Sequence, residues 1–113
     1  MKDINWADEL GVAITVSDTG GKILYMNGKS ASTFAKQGGR ALVGSNLSSC
    51  HKSESWHKIL QIIETEKPNC YTIEKNGVKK MIFQAPWFRE GTVAGLVELS
   101  FEIPFEMDHF VRS

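Results

Sequence analysis

The sequence of 113 residues contains two cysteines, three prolines and no excess of either charge. Lysine and arginine total 13, as do aspartate and glutamate, and no block of five like charges marks a nucleic-acid or membrane surface. Two cysteines are too few for a disulfide framework, so we expect Cys50 and Cys70 to be free thiols. No apolar run approaches the length of a bilayer span, and the N-terminus is too charged for a signal peptide. These absences predict a cytoplasmic protein whose partner is a small molecule or another protein.

The first half of the chain combines strand-like runs with short helical segments. Ile4, Ala7 and Leu10 recur at helical spacing before Gly11, which predicts an N-terminal helical arm over residues 1–11. Alternating apolar residues then predict strands over 12–17 and 22–26, joined by a turn at 18–21. Asn27 is a good helix cap, and the short helix that follows should stop at 38–39, where two glycines occur.

The second half predicts one longer helix and three strands. Trp56, Ile59, Leu60 and Ile63 fall at i, i+3, i+4 and i+7, the spacing of one buried helix face, and Pro68 forces a break after it. Strand-like runs at 70–75, 78–88 and 92–103 follow. The dipeptide 76–77 is Asn-Gly, the strongest short-range hairpin signal. These runs therefore form an antiparallel meander.

The predicted strands carry large apolar residues on both faces. In the second run of the meander, Phe83 and Trp87 alternate with Ile82, so neither face is wholly polar. Gln84 is a polar residue in this apolar setting and must be hydrogen-bonded, either to the protein or to a ligand. A sheet with one face in water would carry large apolar residues on its buried face only. Because both faces carry them here, we expect the second face to be covered as well.

The order of these elements resembles that of the PAS sensor domains. The resemblance rests on "GVAITVSDTGGKILYMNGKS", on Gly44 within "LVGSNL", and on the closing strand "GTVAGLVELSFEI" with Gly95; small stand-alone bacterial PAS proteins look most similar. It implies an α+β fold, a five-stranded antiparallel sheet with short helices packed on one face around a small pocket. The expected domain spans 12–104, between the N-terminal arm and a C-terminal tail at 105–113.

The resemblance also implies a function. We expect a sensory and signal-transduction module without catalytic activity, which forms a homodimer and passes its signal to an unknown protein partner. The dimer interface would use the N-terminal arm and the outer sheet face, at Ile4, Trp6, Phe83 and Trp87. The residues assigned by pattern to a ligand pocket are Phe34, Leu47, Cys50, His51, Ile59, Ile63, Ile82, Gln84, Val97 and Leu99.

The stretch "SSCHKSESWH" leaves alternatives open. Adjacent Cys50 and His51 point apart, which disfavours a nucleophile with its base, and their spacing to other Cys and His residues fits no zinc pattern. Some PAS domains hold haem through a histidine on or before the long helix, so a haem or redox sensor using His51 or His57 is one alternative. A photoactive flavin domain would need a cysteine where Leu47 stands. The other alternative is a purely structural dimerisation domain with a filled core.

Overall fold

The computed structural model describes residues 4–49 and 53–113. Five strands form one sheet, and two α-helices with three short 3₁₀ turns connect the second strand to the third. The strands are β1 (Ala13–Asp18), β2 (Ile23–Met26), β3 (Asn69–Lys75), β4 (Val78–Arg89) and β5 (Thr92–Ile103). The helices are α1 (Gly28–Thr33) and α2 (Ser53–Thr65), with 3₁₀ turns at Ala35–Gln37, Gly39–Leu42 and Leu47–Ser49.

The sheet has the order β2-β1-β5-β4-β3, and every neighbouring pair is antiparallel. Two tight turns set its meander, because Asn76 and Gly77 both have positive φ, as do Glu90 and Gly91. Two such residues in succession match the twist of the strands on either side. The central pair, β1 with β5, joins the first and last strands of the chain. This confirms the predicted α+β fold and its five-stranded antiparallel sheet.

Local capping explains where the helices begin and end. The side chain of Asn27 accepts a hydrogen bond from the Ser30 amide and so caps α1, as the sequence predicts. Ser53 is the first residue of α2. The helix ends at Thr65, which is followed by Glu66 with its positive φ and lies three residues before Pro68. No helix in the described ranges combines the length and the apolar character needed to cross a bilayer.

The N-terminal helical arm is a wrong prediction for residues 4–10, which contain a turn at 6–9 and no helix. The carbonyl oxygen of Ala7 accepts a hydrogen bond from the Asn27 side chain, and that of Asp8 accepts one from the Gly28 amide. Bonds to another part of the chain thus replace those that a helix would make within itself. A helix this short is also marginal without tertiary packing.

The core lies between the helices and one face of the sheet, which we call the inner face. The buried apolar cluster joins Ile23, Met26 and Leu96 of the strands to Leu47, Ile59 and Ile62 of the connecting segment. On α2, Ile62 is buried while Leu60 is 39% exposed, so the buried stripe runs through Ile59 and Ile62 rather than through Leu60. Trp56 and Ile63 pack at the margin of the cluster.

Gly95 allows β5 to approach β1 closely. A Cβ atom at Gly95 would overlap the carbonyl oxygen of Ser17 on the neighbouring strand. That same oxygen accepts a hydrogen bond of 2.9 Å from the indole Nε1 of Trp87, which lies opposite Gly95 on β4. Strands β1, β4 and β5 are thus in contact at the Ser17 carbonyl. A glycine is needed at position 95 because a side chain there would occupy the space of this carbonyl.

Candidate functional site

A cavity of about 50 Å³ lies on the inner face, between the sheet and the short helical segments. The strands contribute Thr15, Ser17, Ile23, Met26, Leu96 and Glu98 to its lining. The helical segments contribute Phe34, Leu42 and Leu47. Apart from two hydroxyls and one carboxylate, the side chains that line it are apolar.

The size of this cavity limits what it can hold. A single water needs roughly 10–15 Å³ of such space, and a cavity of about 150 Å³ binds benzene. The 50 Å³ cavity therefore has room for a few nonhydrogen atoms in this conformation. A larger ligand would require the helical segments to move away from the sheet.

A row of polar side chains crosses the inner face beside the cavity, and we call it the polar rung. Asn69, Gln84 and Glu98 lie directly opposite one another on β3, β4 and β5. The Asn69 amide donates to Gln84 Oε1 at 3.1 Å, and Gln84 Nε2 donates to Glu98 Oε2 at 2.8 Å. Gln84 is 5% exposed, and these two bonds satisfy its amide with protein partners, which is the first of the two alternatives that the sequence leaves open.

The same row of the sheet continues onto β1. Thr15 lies opposite Glu98, and its hydroxyl shares a hydrogen bond of 2.6 Å with the hydroxyl of Ser30 on α1. Ser30 is also the residue whose amide is capped by Asn27. The cavity is therefore connected, through Thr15 and Ser30, to the helix cap that holds the N-terminal segment.

An open groove of about 370 Å³ lies at the other end of the polar rung. Glu54, Ser55 and Lys58 of α2 form one wall, and Asn69, Tyr71 and Gln84 form the other. Partial burial of the Tyr71 phenol raises its pKa above 10, and the negative charge of Glu98 raises it further. Gln84 lies between this open groove and the apolar cavity, because its amide bonds to Glu98 on one side and to Asn69 on the other.

The structure brings several of the predicted pocket residues together. Phe34 and Leu47 line the cavity, and Ile59 and Ile63 belong to the core around it. Ile82 and Gln84 are buried on the inner face, with Gln84 next to the cavity residue Glu98. Whether any of them binds a ligand stays a prediction.

The assignment of Val97 and Leu99 to the pocket is wrong, because both lie on the opposite face of the sheet. They alternate with Leu96 and Glu98 along β5, and it is Leu96 and Glu98 that line the cavity. Val97 pairs with Val16 and Ala85, and Leu99 pairs with Ile14 and Phe83, all on the outer face. Glu98 is the functional candidate that the sequence reasoning missed. An acidic residue within an apolar strand, opposite Gln84, was the available signal.

The cysteine and histidine candidates are only partly described. Cys50 and His51 lie outside the described residues, whereas His57 is exposed on α2 and does not line the cavity. Within residues 4–49 and 53–113, no three His, Cys, Asp or Glu side chains cluster as metal ligands would. A haem site at His57 does not fit this arrangement, because a porphyrin is much larger than the cavity.

The four predicted interface residues are partly or largely exposed. Ile4 is 84% and Trp6 is 67% exposed, and both lie in the N-terminal segment. Phe83 and Trp87 are half-buried on the outer face, where the Trp87 indole bonds to Ser17. Their role in a dimer remains a prediction.

Comparison with known proteins gives similarity in structure only. No protein-family profile and no curated protein matches the sequence. A sensory box sensor histidine kinase from Vibrio cholerae superposes with a TM-score of 0.66 at 17% identity, covering 87% of this chain and 86% of that one. A PAS domain from Colwellia psychrerythraea gives 0.64 at 17% identity, covering 85% and 89%. The Aer2 receptor of Vibrio cholerae, described as a dual PAS-heme oxygen sensor, gives 0.62 at 20% identity, covering 82% and 95%.

Proposed function

We propose that this chain, which has the PAS fold, is a sensory module that binds a small molecule between its sheet and its short helices. The observation that carries the proposal is the inner-face cavity, because four residues of the core cluster line it, namely Ile23, Met26, Leu47 and Leu96. Structural neighbours that are sensors support it: one is a sensor histidine kinase and another an oxygen sensor. Fold alone does not determine function, so the cavity has to be tested directly.

The hydrogen bonds around the cavity offer a route for a signal. Thr15 lines the cavity and bonds to Ser30, Ser30 is capped by Asn27, and Asn27 holds the carbonyl of Ala7. A ligand that shifted Thr15 would therefore disturb the contacts of residues 4–10. We propose that the module has no catalytic activity of its own and acts in the cytoplasm through a protein partner, which remains to be identified.

Native mass spectrometry of the freshly purified protein, with an absorption spectrum, tests the ligand proposal. We expect either a retained small molecule or, for a ligand too weak to survive purification, uptake of added small probe molecules, and either should be lost in Leu42→Phe, because Leu42 lines the cavity and the larger ring would fill it. The matched control is Leu24→Phe on β2, because Leu24 is 44% exposed and does not line the cavity. A Soret band would instead support the haem alternative. A chain that carries no ligand and also fails to bind small probe molecules would contradict the proposal.

We further propose that the protein is a homodimer that covers the outer face. The outer face carries half-exposed apolar residues on its two longest strands, including Phe83, Leu99 and Phe101. Apolar patches of this kind are typical of protein interfaces. The same face would serve a purely structural dimerisation domain, so the presence of a bound ligand distinguishes the two functions.

Sedimentation at micromolar concentration tests the dimer. We expect the wild type to be dimeric and Phe83→Glu to be monomeric, because a carboxylate would be buried without a partner in the interface. Leu60→Glu is the matched control, since Leu60 is comparably apolar but lies on the exposed side of α2. A monomeric wild type would contradict the proposal. Equal dissociation of both variants would show that the outer face is not the interface.

A further inference from the structure

Glu98 is the one charged side chain in the lining of the described cavity. Its lining neighbours Met26, Phe34 and Leu96 offer hydrocarbon surface. The other polar groups are already engaged, since the Thr15 hydroxyl bonds to Ser30 and the Ser17 hydroxyl donates to the carbonyl of Asp18. The Glu98 carboxylate is therefore the group in the lining with which a polar group of a ligand would interact.

The carboxylate of Glu98 has unused capacity. Among the described residues its one hydrogen-bond donor is Gln84 Nε2, which contacts Oε2, and Oε1 receives no hydrogen bond from them. The ion pair found in the described part of the chain joins Arg40 to Asp8 and does not involve Glu98. An ionised carboxylate accepts hydrogen bonds and donates none, and a cationic donor forms the strongest of them.

Building on the proposed ligand function, we infer that the cavity binds a compact organic cation, a protonated primary amine with a short hydrocarbon body. The ammonium group donates to Glu98 Oε1, and the hydrocarbon part contacts Leu96, Met26 and Phe34. Gln84 supports the site by holding Oε2, and its own amide is oriented by Asn69. A ligand with a carboxylate of its own is disfavoured, because it would place two like charges in one apolar site.

The cavity volume sets the size of the probe. One water occupies roughly 10–15 Å³ of such space, so a cavity of about 50 Å³ has room for about three to five nonhydrogen atoms. Ethylammonium fits this limit, and ethanol and acetate are probes of similar size with a neutral and an anionic head. So small a ligand binds no more tightly than about millimolar, since even the best tiny ligands gain only about 1.5 kcal/mol per nonhydrogen atom.

The experiment is a titration of the full chain with ethylammonium chloride, ethanol and sodium acetate at equal ionic strength, followed by amide NMR shifts. We expect ethylammonium to bind about tenfold more tightly than ethanol, and acetate not to bind. Glu98→Gln should abolish the preference for ethylammonium over ethanol, because the carboxylate that accepts from the ammonium group is lost. Glu102→Gln is the matched control, because it makes the same charge change on the same face of β5 but does not line the cavity.

The outcomes separate this inference from the proposed function. Equal binding of ethylammonium and ethanol would overturn the amine class and leave a ligand cavity in place. An equal loss of preference in Glu98→Gln and Glu102→Gln would overturn it too, because overall charge would then explain the result. If none of the probes binds, both the inference and the ligand function fail. Should Glu98→Gln not fold, the wild-type comparison of ethylammonium with ethanol decides alone.

Discussion

Replacing Asn27 by alanine should destabilise the protein far more than the same replacement of a solvent-exposed asparagine. The side chain of Asn27 is fully buried and uses all four of its hydrogen-bonding positions. Its Oδ1 accepts from the amides of Ile14 and Ser30, each at 2.9 Å, and its Nδ2 donates to the carbonyls of Ala7 and Val12, each at 2.8 Å. One side chain thus joins the N-terminal segment, the first strand and the first helix.

The expected loss follows from these four bonds. Removing a helix cap costs about 1 kcal/mol. Leaving the buried Ile14 amide without a partner costs roughly 1–3 kcal/mol. With a smaller contribution from the two carbonyls, which water can partly reach, we expect a total of about 3–4 kcal/mol. For 113 residues the entropy of unfolding is about 0.24 kcal/mol per kelvin, so the melting temperature should fall by about 15 °C.

Urea and thermal unfolding followed by circular dichroism measure this loss. Asn46→Ala is the matched control, because Asn46 also bonds through both ends of its amide, to Gly20 and Ser48, but is solvent-exposed. We expect the control to lose less than about 1 kcal/mol. Asn27→Asp can keep the cap but should also be strongly destabilised, because its second carboxylate oxygen would face the carbonyl oxygens of Ala7 and Val12 in a fully buried site. A loss in Asn27→Ala no larger than in Asn46→Ala would refute the reasoning.

Two further predictions concern the sheet. Gly95→Ala should destabilise the fold by several kcal/mol or prevent folding, because its Cβ would overlap the Ser17 carbonyl. Gly11→Ala is the control and should be nearly neutral, because there is open space around Gly11. Urea unfolding measures both variants. The raised pKa of Tyr71 favours the neutral phenol in the folded state, so this contribution to stability is complete below pH 10 and is lost as the pH rises through the folded pKa. Glu98→Gln should lower the pKa of Tyr71, because the negative charge that raises it is removed. An alkaline titration of tyrosinate absorbance measures this pKa, and the Tyr71→Phe variant identifies which signal belongs to Tyr71. An unchanged pKa would show that Glu98 does not act on Tyr71.

Local signals in the sequence were sufficient for most of the fold. The Asn-Gly dipeptide at 76–77 and the cap at Asn27 depend on neighbouring residues only, and both have the expected conformations. The last strand has the predicted bounds, Thr92–Ile103. A proline within a strand predicts an edge or a bulge, and Pro86 lies beyond the reach of β3 and next to an irregularity at Trp87. Each of these features is determined within a few residues of chain.

Features that depend on distant contacts were not predictable in the same way. Alternation along β5 separates Val97 and Leu99 from Leu96 and Glu98, but it does not say which set faces the helices when both faces are apolar. Only the pairing with β1 and β4, and the packing of the helices, settles that choice. The N-terminal turn is a similar case, because its carbonyls bond to the distant Asn27 rather than within a helix.

The polar rung departs from the apolar pattern that is typical of a sheet face packed against helices. A strand face packed against helices is normally apolar, yet Asn69, Gln84 and Glu98 occupy one continuous row of it. Hydrogen bonds along the row satisfy the buried amide of Gln84, whereas Asn69 and Glu98 are half-buried, and the Glu98 oxygen that has no donor among the described residues is accessible to solvent. At the buried position, Gln84, an apolar residue of similar volume would fill a purely structural core without needing hydrogen-bond partners. Such departures from local rules are expected at functional sites, and for this reason the polar rung favours a ligand-binding cavity over a filled core.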